Sequence, residues 1–230
     1  MITTILWDMD NTLLSFEEAE RVAIRSCFQS HGLGECTDEM IARYSVINRG
    51  YWQRLERGEI TKEEVLVDRF RDFFAHEGLP SEKAKSFNDE YQIRLGDTCV
   101  FMDDAFTLVN KLKQEGFRQY IITNGTKIAQ DRKLLNSGLG KIMDGFFISD
   151  VIGHEKPTLG FFNAVFETLK DTKKEECLIV GDSLTSDIKG GNNAGVKCCW
   201  YNPRKEENGT DAVPDFEIGN LWEVEKLLKF

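Results

Sequence analysis

Short apolar runs that break off on polar residues set the limits on this fold: ITTILW stops at Asp8, RQYIIT runs into Asn124, and CLIVG stops at Asp182. Each run is rich in β-branched and large apolar side chains, long enough for a strand and too short for a helix. Helix-length segments separate most of them, and strands alternating with helices imply parallel βαβ units and a doubly wound α/β sheet. In such a sheet the ligand crevice lies beyond the carboxyl ends of the strands, so the polar residues that end each run converge in space.

The stretch after the first run departs from this rhythm. Ser15 followed by Glu18 makes a capping box for a helix ending near His31, with Gly32 as its C-terminal cap. Thr37, and Thr61 with Glu64, open two more amphipathic helices, the second stopped by Gly78, and Ser81 opens another that fades near Gly96. The chain therefore reads as an α/β core domain of residues 1–14 and 97–230, with a helical domain of residues 15–96 inserted after the first strand. Further along, the pattern predicts helices from Asp104 to Glu115, from about Thr126 to Asn136, from Leu159 to Leu169 and from about Thr185 to Ala194. It places strands at FFIS, KCCWYN and DFEI and a last helix over NLWEVEKLLKF. The polar, turn-rich NPRKEENGTDAVPDF reads as a surface loop.

At 230 residues and 41% hydrophobic composition the chain can bury a full core. Its formal net charge of −10 argues against a nucleic-acid polymer as partner, because neutralising a phosphate backbone needs clustered Lys and Arg. The six cysteines form no C-x-x-C pair and read as free thiols of a reducing compartment, with adjacent Cys198 and Cys199 on opposite faces of a strand. With no basic-then-apolar leader and no membrane-length apolar stretch, the expected location is the cytoplasm and no membrane partner is expected.

The residues expected to meet beyond the strand ends are Asp8 and Asp10, then Thr123 with Asn124 and Gly125, then Lys156, then Asp182 and Asp187. Several carboxylates at one point cannot all stay ionised without a cation, and a hard, oxygen-seeking ion such as Mg2+ answers that need. A hydroxyl and an ammonium beside it suit a phosphate. Taken singly, each of these residues has a commoner structural use as a helix cap, a turn residue or a solvated lysine.

As an ordered set, D-M-D-N-T, I-I-T-N-G, E-K-P and V-G-D-S-L-T-S-D resemble the four signature motifs of the haloacid dehalogenase superfamily. The match spans essentially the whole chain, and the helical insert resembles the family's helical cap of the first type. The resemblance implies that Asp8 is a nucleophile forming an aspartyl phosphate, and Asp10 the acid and base that protonates the leaving alkoxide and later takes a proton from water. It implies Mg2+ held by the Asp8 carboxylate, the Asp10 backbone carbonyl and Asp182, with Asp187 in support. Thr123, the Asn124 amide with Gly125, and Lys156 then hold the phosphoryl oxygens.

An aspartate at position 10 resembles the phosphatase and phosphomutase branches and not the dehalogenase branch. A β-phosphoglucomutase shares these motifs and is told apart by its bisphosphate activator. A phospho-receiver module also combines acidic strand ends, a hydroxyl residue and a lysine, but lacks the large insert and the added pair Asp182 and Asp187. TNGTKIAQDRKLLNSGL, GDSLTSDIKGGNNAGVKCCWYN and NRGYWQRLERGEIT are similar to bacterial pyrimidine 5′-nucleotidases, implying a nucleoside monophosphate as the small phosphorylated substrate. A nucleobase needs an aromatic or apolar wall, and Phe16, Tyr51 and Trp52 are the candidates.

Overall fold

The structure, a computed structural model, describes residues 1–228 and divides into two compact units: residues 1–16 with those from 99 onward, and residues 17–98. The division falls two residues later at each junction than the sequence pattern suggests. Ser15 and Phe16 are tied back to the first unit, the Ser15 amide donating to the Val100 carbonyl at 2.8 Å and the Phe16 amide to Asn11 Oδ1 at 3.0 Å.

In the first unit, β1 (Thr4–Trp7), β2 (Arg118–Thr123), β3 (Gly145–Ile148), β4 (Cys177–Gly181), β5 (Lys197–Tyr201) and β6 (Phe216–Ile218) form one sheet in the order β3-β2-β1-β4-β5-β6. Every pairing is parallel. Strand alternation sorts the core into two layers. Ile5, Trp7, Ile121, Leu178, Val180, Cys199 and Tyr201 pack on one face, with Leu6, Ile122, Cys177, Ile179, Cys198 and Trp200 on the other. Cys198 and Cys199 thus part to opposite faces, and all six cysteines are free thiols.

The helix α5 (Ala105–Gln114) contributes Leu108, Val109 and Leu112 to the first layer, and α8 (Leu159–Thr168) contributes Phe161, Phe162 and Val165 to the second. α6 (Lys127–Ser137) follows β2, with Thr126 capping its start through the Ala129 amide, and α9 (Lys189–Ala194) follows β4. The short α7 (Ser149–Ile152) directly after β3 escaped the sequence pattern, being a single turn with no room for a period. The last helix begins as a 3-10 turn over Leu221–Glu223, capped by Asn220, before α10 (Val224–Leu227). The final two residues of the expected helix lie outside the described residues.

In the second unit, α1 (Phe16–Ser30, its first residue belonging to the first unit), α2 (Asp38–Glu56), α3 (Lys62–Glu77) and α4 (Ala84–Leu95) enclose an aromatic core. Thr61 and Glu64 form the expected capping box at the start of α3, and Gly78 at φ 67° closes it in the left-handed conformation that glycine adopts without steric cost. Phe70 sits at the centre, its ring 4.9 Å from Tyr44, 5.0 Å from Phe87 and 5.1 Å from Tyr91. Among the described residues no helix is long and apolar enough to cross a membrane.

A polar chain runs through this aromatic core. Glu20 accepts from Ser45 and, at 3.0 Å, from Asn48 Nδ2, while the buried Arg69 donates to Asn48 Oδ1 at 2.6 Å and to Asn88 Oδ1 at 3.0 Å. Burial pushes the Glu20 carboxyl up to about 7, against the opposing pull of Ser45, Arg69 and Asn48. A raised carboxyl means that the folded state holds a proton the unfolded chain releases near its ordinary value of 4.5. Stability from Glu20 is therefore complete below pH 4.5 and is lost as pH rises through about 7. Glu20→Gln should flatten that part of the pH profile by up to about 3 kcal/mol, read from thermal melts of both proteins between pH 4.5 and 8. Parallel profiles would show that Glu20 titrates normally.

Candidate active site

Because the sheet is wholly parallel, its strands present their carboxyl ends along one edge. β1 delivers Asp8, β2 ends on Thr123, and β4 ends on Gly181 just before Asp182. The Lys156 ammonium lies among them, only 1% exposed, and its donors are spent on three acceptors: Asp8 Oδ1 at 2.7 Å, Asp187 Oδ1 at 2.6 Å and the Ile122 carbonyl at 2.8 Å. Asn124 fixes this lysine, since its side-chain amide donates to the Lys156 carbonyl at 2.8 Å and accepts the Lys156 N–H at 2.7 Å.

Thr12 ties the first and last motifs together. Its hydroxyl oxygen lies 3.1 Å from Asp8 Oδ2 and 3.4 Å from Asp182 Oδ1, and accepts the Asp182 N–H at 3.1 Å. After β4 the chain enters a π-helical turn, Leu184–Ile188, capped by Ser183, before α9; a plain α-helix from about Thr185 was expected. The wider turn lets Asp187 fold back so that its Oδ2 accepts the Ser183 N–H at 3.2 Å. Gly181 makes this possible, because a Cβ there would stand 2.3 Å from the Asp187 carboxyl carbon.

Carboxylate oxygens of Asp8, Asp182 and Asp187 lie within 4.8 Å of one another. Burial pushes the Asp8 carboxyl up to about 7, the Asp187 and Asp10 charges adding to it and Lys156 opposing. Burial and the neighbouring Asp8 and Asp187 raise Asp182 well above the usual carboxylate range. Burial works against the Lys156 charge, but Asp187 and Asp8 outweigh it and hold the ammonium protonated above its ordinary range. Three acids against one ammonium leave negative charge uncompensated, and the donors are all oxygen. That set fits a hard divalent cation.

Asp10 is held apart from this cluster. Its Oδ1 is paired with the Lys133 ammonium and its Oδ2 accepts Gln130 Nε2 at 2.8 Å, both from α6. Phe16 is partly buried, with the Lys133 ammonium 5.5 Å from its ring centroid. Thr123 is buried, its hydroxyl accepting the Gly125 N–H at 3.3 Å.

A family model described as haloacid dehalogenase-like hydrolase matches residues 2–195. The chain belongs to the haloacid dehalogenase-like hydrolase family. Relatives of this hydrolase include YfnB of Bacillus subtilis, named as a HAD-hydrolase, 37% identical over 225 residues that cover 98% of this chain and 94% of that protein. The pyrimidine 5′-nucleotidase PynA of Streptococcus pneumoniae is 35% identical, covering 93% and 90%. The pyrimidine 5′-nucleotidase YjjG of Escherichia coli is 29% identical, covering 97% and 96%. The crystal structure of magnesium-bound YfnB, described as revealing interdomain movement, superposes with a TM-score of 0.92 over 100% of this chain and 99% of that one, at 36% identity.

The first unit of this hydrolase thus carries Asp8, Asp10, Phe16, Thr123, Asn124, Gly125, Lys156, Asp182 and Asp187. Tyr51 and Trp52 stand on α2 of the helical unit, both partly buried, the Tyr51 hydroxyl 2.6 Å from Asp72 Oδ2 and its ring beneath Arg54. Sequence reasoning missed Thr12, Gln130 and Lys133. A signal for the last two existed: they fall on the same buried side of α6 as Ala129 and Leu134, where an apolar residue is the default.

Proposed function

We propose that this hydrolase is a magnesium-dependent phosphatase that cleaves phosphomonoesters through an aspartyl phosphate, with pyrimidine nucleoside monophosphates as its substrates. The observation that carries this reading is the buried Lys156 holding Asp8 beside Asp182 and Asp187 at the end of the sheet. The names of PynA and YjjG support the nucleotide preference.

In this reading an Asp8 carboxylate oxygen attacks phosphorus, the bond from phosphorus to the ester oxygen breaks, and that oxygen takes the proton of the Asp10 carboxyl. Water then attacks phosphorus, gives a proton to the Asp10 carboxylate, and the bond to Asp8 breaks to release phosphate. Thr123, the Asn124 and Gly125 amides and Lys156 hold the phosphoryl oxygens and stabilise their developing charge. Asp8, the Asp10 backbone carbonyl and Asp182 would hold Mg2+, with Asp187 in support; bound there, the ion neutralises charge on the transferring phosphoryl group. The helical unit, residues 17–98, takes the cap role of selecting the substrate in this reading, with Tyr51 and Trp52 as its candidate nucleobase contacts, and Phe16 is the candidate within the first unit.

The test is phosphate release from purified pyrimidine and purine nucleoside monophosphates, sugar phosphates and phosphoglycolate, with Mg2+ and with a chelator. The expected result is turnover lost on chelation, with pyrimidine monophosphates at least about tenfold ahead in kcat/KM. Faster turnover of sugar phosphates or phosphoglycolate would overturn the nucleotidase assignment and leave the phosphatase reading standing.

A further inference from the structure

Both oxygens of Asp10 are taken by a single helix. Gln130 and Lys133 stand three residues apart on α6, hence on one face, and each is only 1% exposed. Gln130 reaches Asp10 by passing over the loop after β2, where a Cβ on Gly125 would stand 1.8 Å from Gln130 Nε2. Lys133 arrives with its ammonium facing the Phe16 ring. On the other side, Asn11 in the left-handed conformation at φ 62° turns the chain so that Asp10 and Leu14 form a bridge.

A simple anchor for α6 does not need this arrangement. Ala129 and Leu134 already bury the helix against its own unit. A buried ion pair is often no more stabilising than apolar residues of the same volume. The amide is moreover used one-sidedly, because Gln130 Oε1 is buried with no hydrogen-bond partner. Leaving an acceptor buried and unmet is a cost that folding alone does not explain. What the residues do achieve is a carboxyl group fixed in orientation by one donor on each oxygen. Those donors point at the atoms that become negative when Asp10 gives up a proton, the preorganisation that lowers a barrier without moving at the moment of reaction.

Resting on the phosphatase reading above, we infer that Lys133 and Gln130 are positioning residues that orient Asp10 and stabilise its carboxylate as it protonates the leaving oxygen. The consequence depends on the leaving group. A poor leaving group such as an alkoxide needs the proton, whereas p-nitrophenolate departs with little help.

The experiment measures kcat/KM with Mg2+ for a series of phosphomonoesters running from p-nitrophenyl phosphate to simple alkyl phosphates, in the wild type, Lys133→Met, Lys133→Arg and Gln130→Met. Because kcat/KM reports the first phosphoryl transfer, it isolates the step in which Asp10 acts as an acid. Lys133→Met is expected to lower the alkyl phosphates by about 100-fold and p-nitrophenyl phosphate by less than about 3-fold, steepening the dependence on the leaving group. Lys133→Arg should recover most of the loss, and Gln130→Met should show the same trend at about a tenth of the size. An equal fall for every ester, or none, overturns the inference, since a merely structural lysine has no reason to distinguish leaving groups. Should Lys133→Met fail to fold, the Gln130→Met series decides on the same criterion. A wild type that hydrolyses no ester removes the phosphatase reading itself, whereas an active wild type with a flat response removes only the roles of Lys133 and Gln130.

Discussion

Asp8→Asn is expected to abolish phosphate release, by roughly 10^4-fold or more, while leaving the protein folded. The amide oxygen still accepts from Lys156, so the contact now made at 2.7 Å survives. One of three crowded acids is removed, which ends the burial of that charge and relieves the repulsion that adds to burial in raising Asp8 and Asp182. Thermal melting in metal-free buffer should therefore show a midpoint equal to or above that of the wild type. Substantial residual turnover at an unchanged midpoint would take the nucleophile role away from Asp8. A large fall in the midpoint would show instead that the Asp8 charge is needed by the fold.

Lys156→Met should have the opposite signature, a heavy loss of stability. The substitution keeps the length of the buried stem but leaves Asp8, Asp187 and the Ile122 carbonyl without the donor that all three share. Removing one partner from a buried ionic cluster typically costs about 3–5 kcal/mol. For a chain of this size that corresponds to a midpoint lowered by roughly 6–20 °C. The loss should be greatest at pH 8 and shrink towards pH 5.5, because the stranded carboxyls can then take up protons and shed their charge. Calorimetry of the metal-free variant at the two pH values checks this. A midpoint within a degree or two of the wild type would mean that the three hydrogen bonds merely replace those made to water.

The architecture was legible because local signals agreed with one another. ILW and YII break off on a polar residue and LIVG on Asp182, and in the structure those breaks are the strand ends that gather Asp8, Thr123 and Asp182. Thr61, Glu64 and Gly78 bound a helix in sequence and in space because capping is a matter of neighbouring atoms. Legibility failed where the determining contact is distant in sequence. Gln130 and Lys133 stand out only as polar residues on the apolar side of α6, and what they are for depends on Asp10, 120 and 123 positions away. The π-helical turn at Leu184–Ile188 depends on Asp187 folding back over Gly181, a packing event without a periodic signature. Tyr51 and Trp52 are equally opaque, since an aromatic on α2 has the same pattern whether it meets a base or a neighbouring helix.

The placing of β1 also governs how the molecule is assembled during synthesis. This strand, made before the other five of its sheet, lies between β2 and β4 and cannot be flanked on both sides until Gly181 has been added. At about 5–20 residues per second that is a wait of roughly 10–35 s. In that interval at least one edge of an apolar segment ending in Asp8 stays unpaired. The helices of residues 17–98 are meanwhile fully translated, and they make their contacts with one another over short separations in the chain. The order of synthesis thus favours a nascent chain with its helical unit formed first and its chemistry assembled last. The partly made polypeptide is most exposed to aggregation and proteolysis at the strand that leads into Asp8.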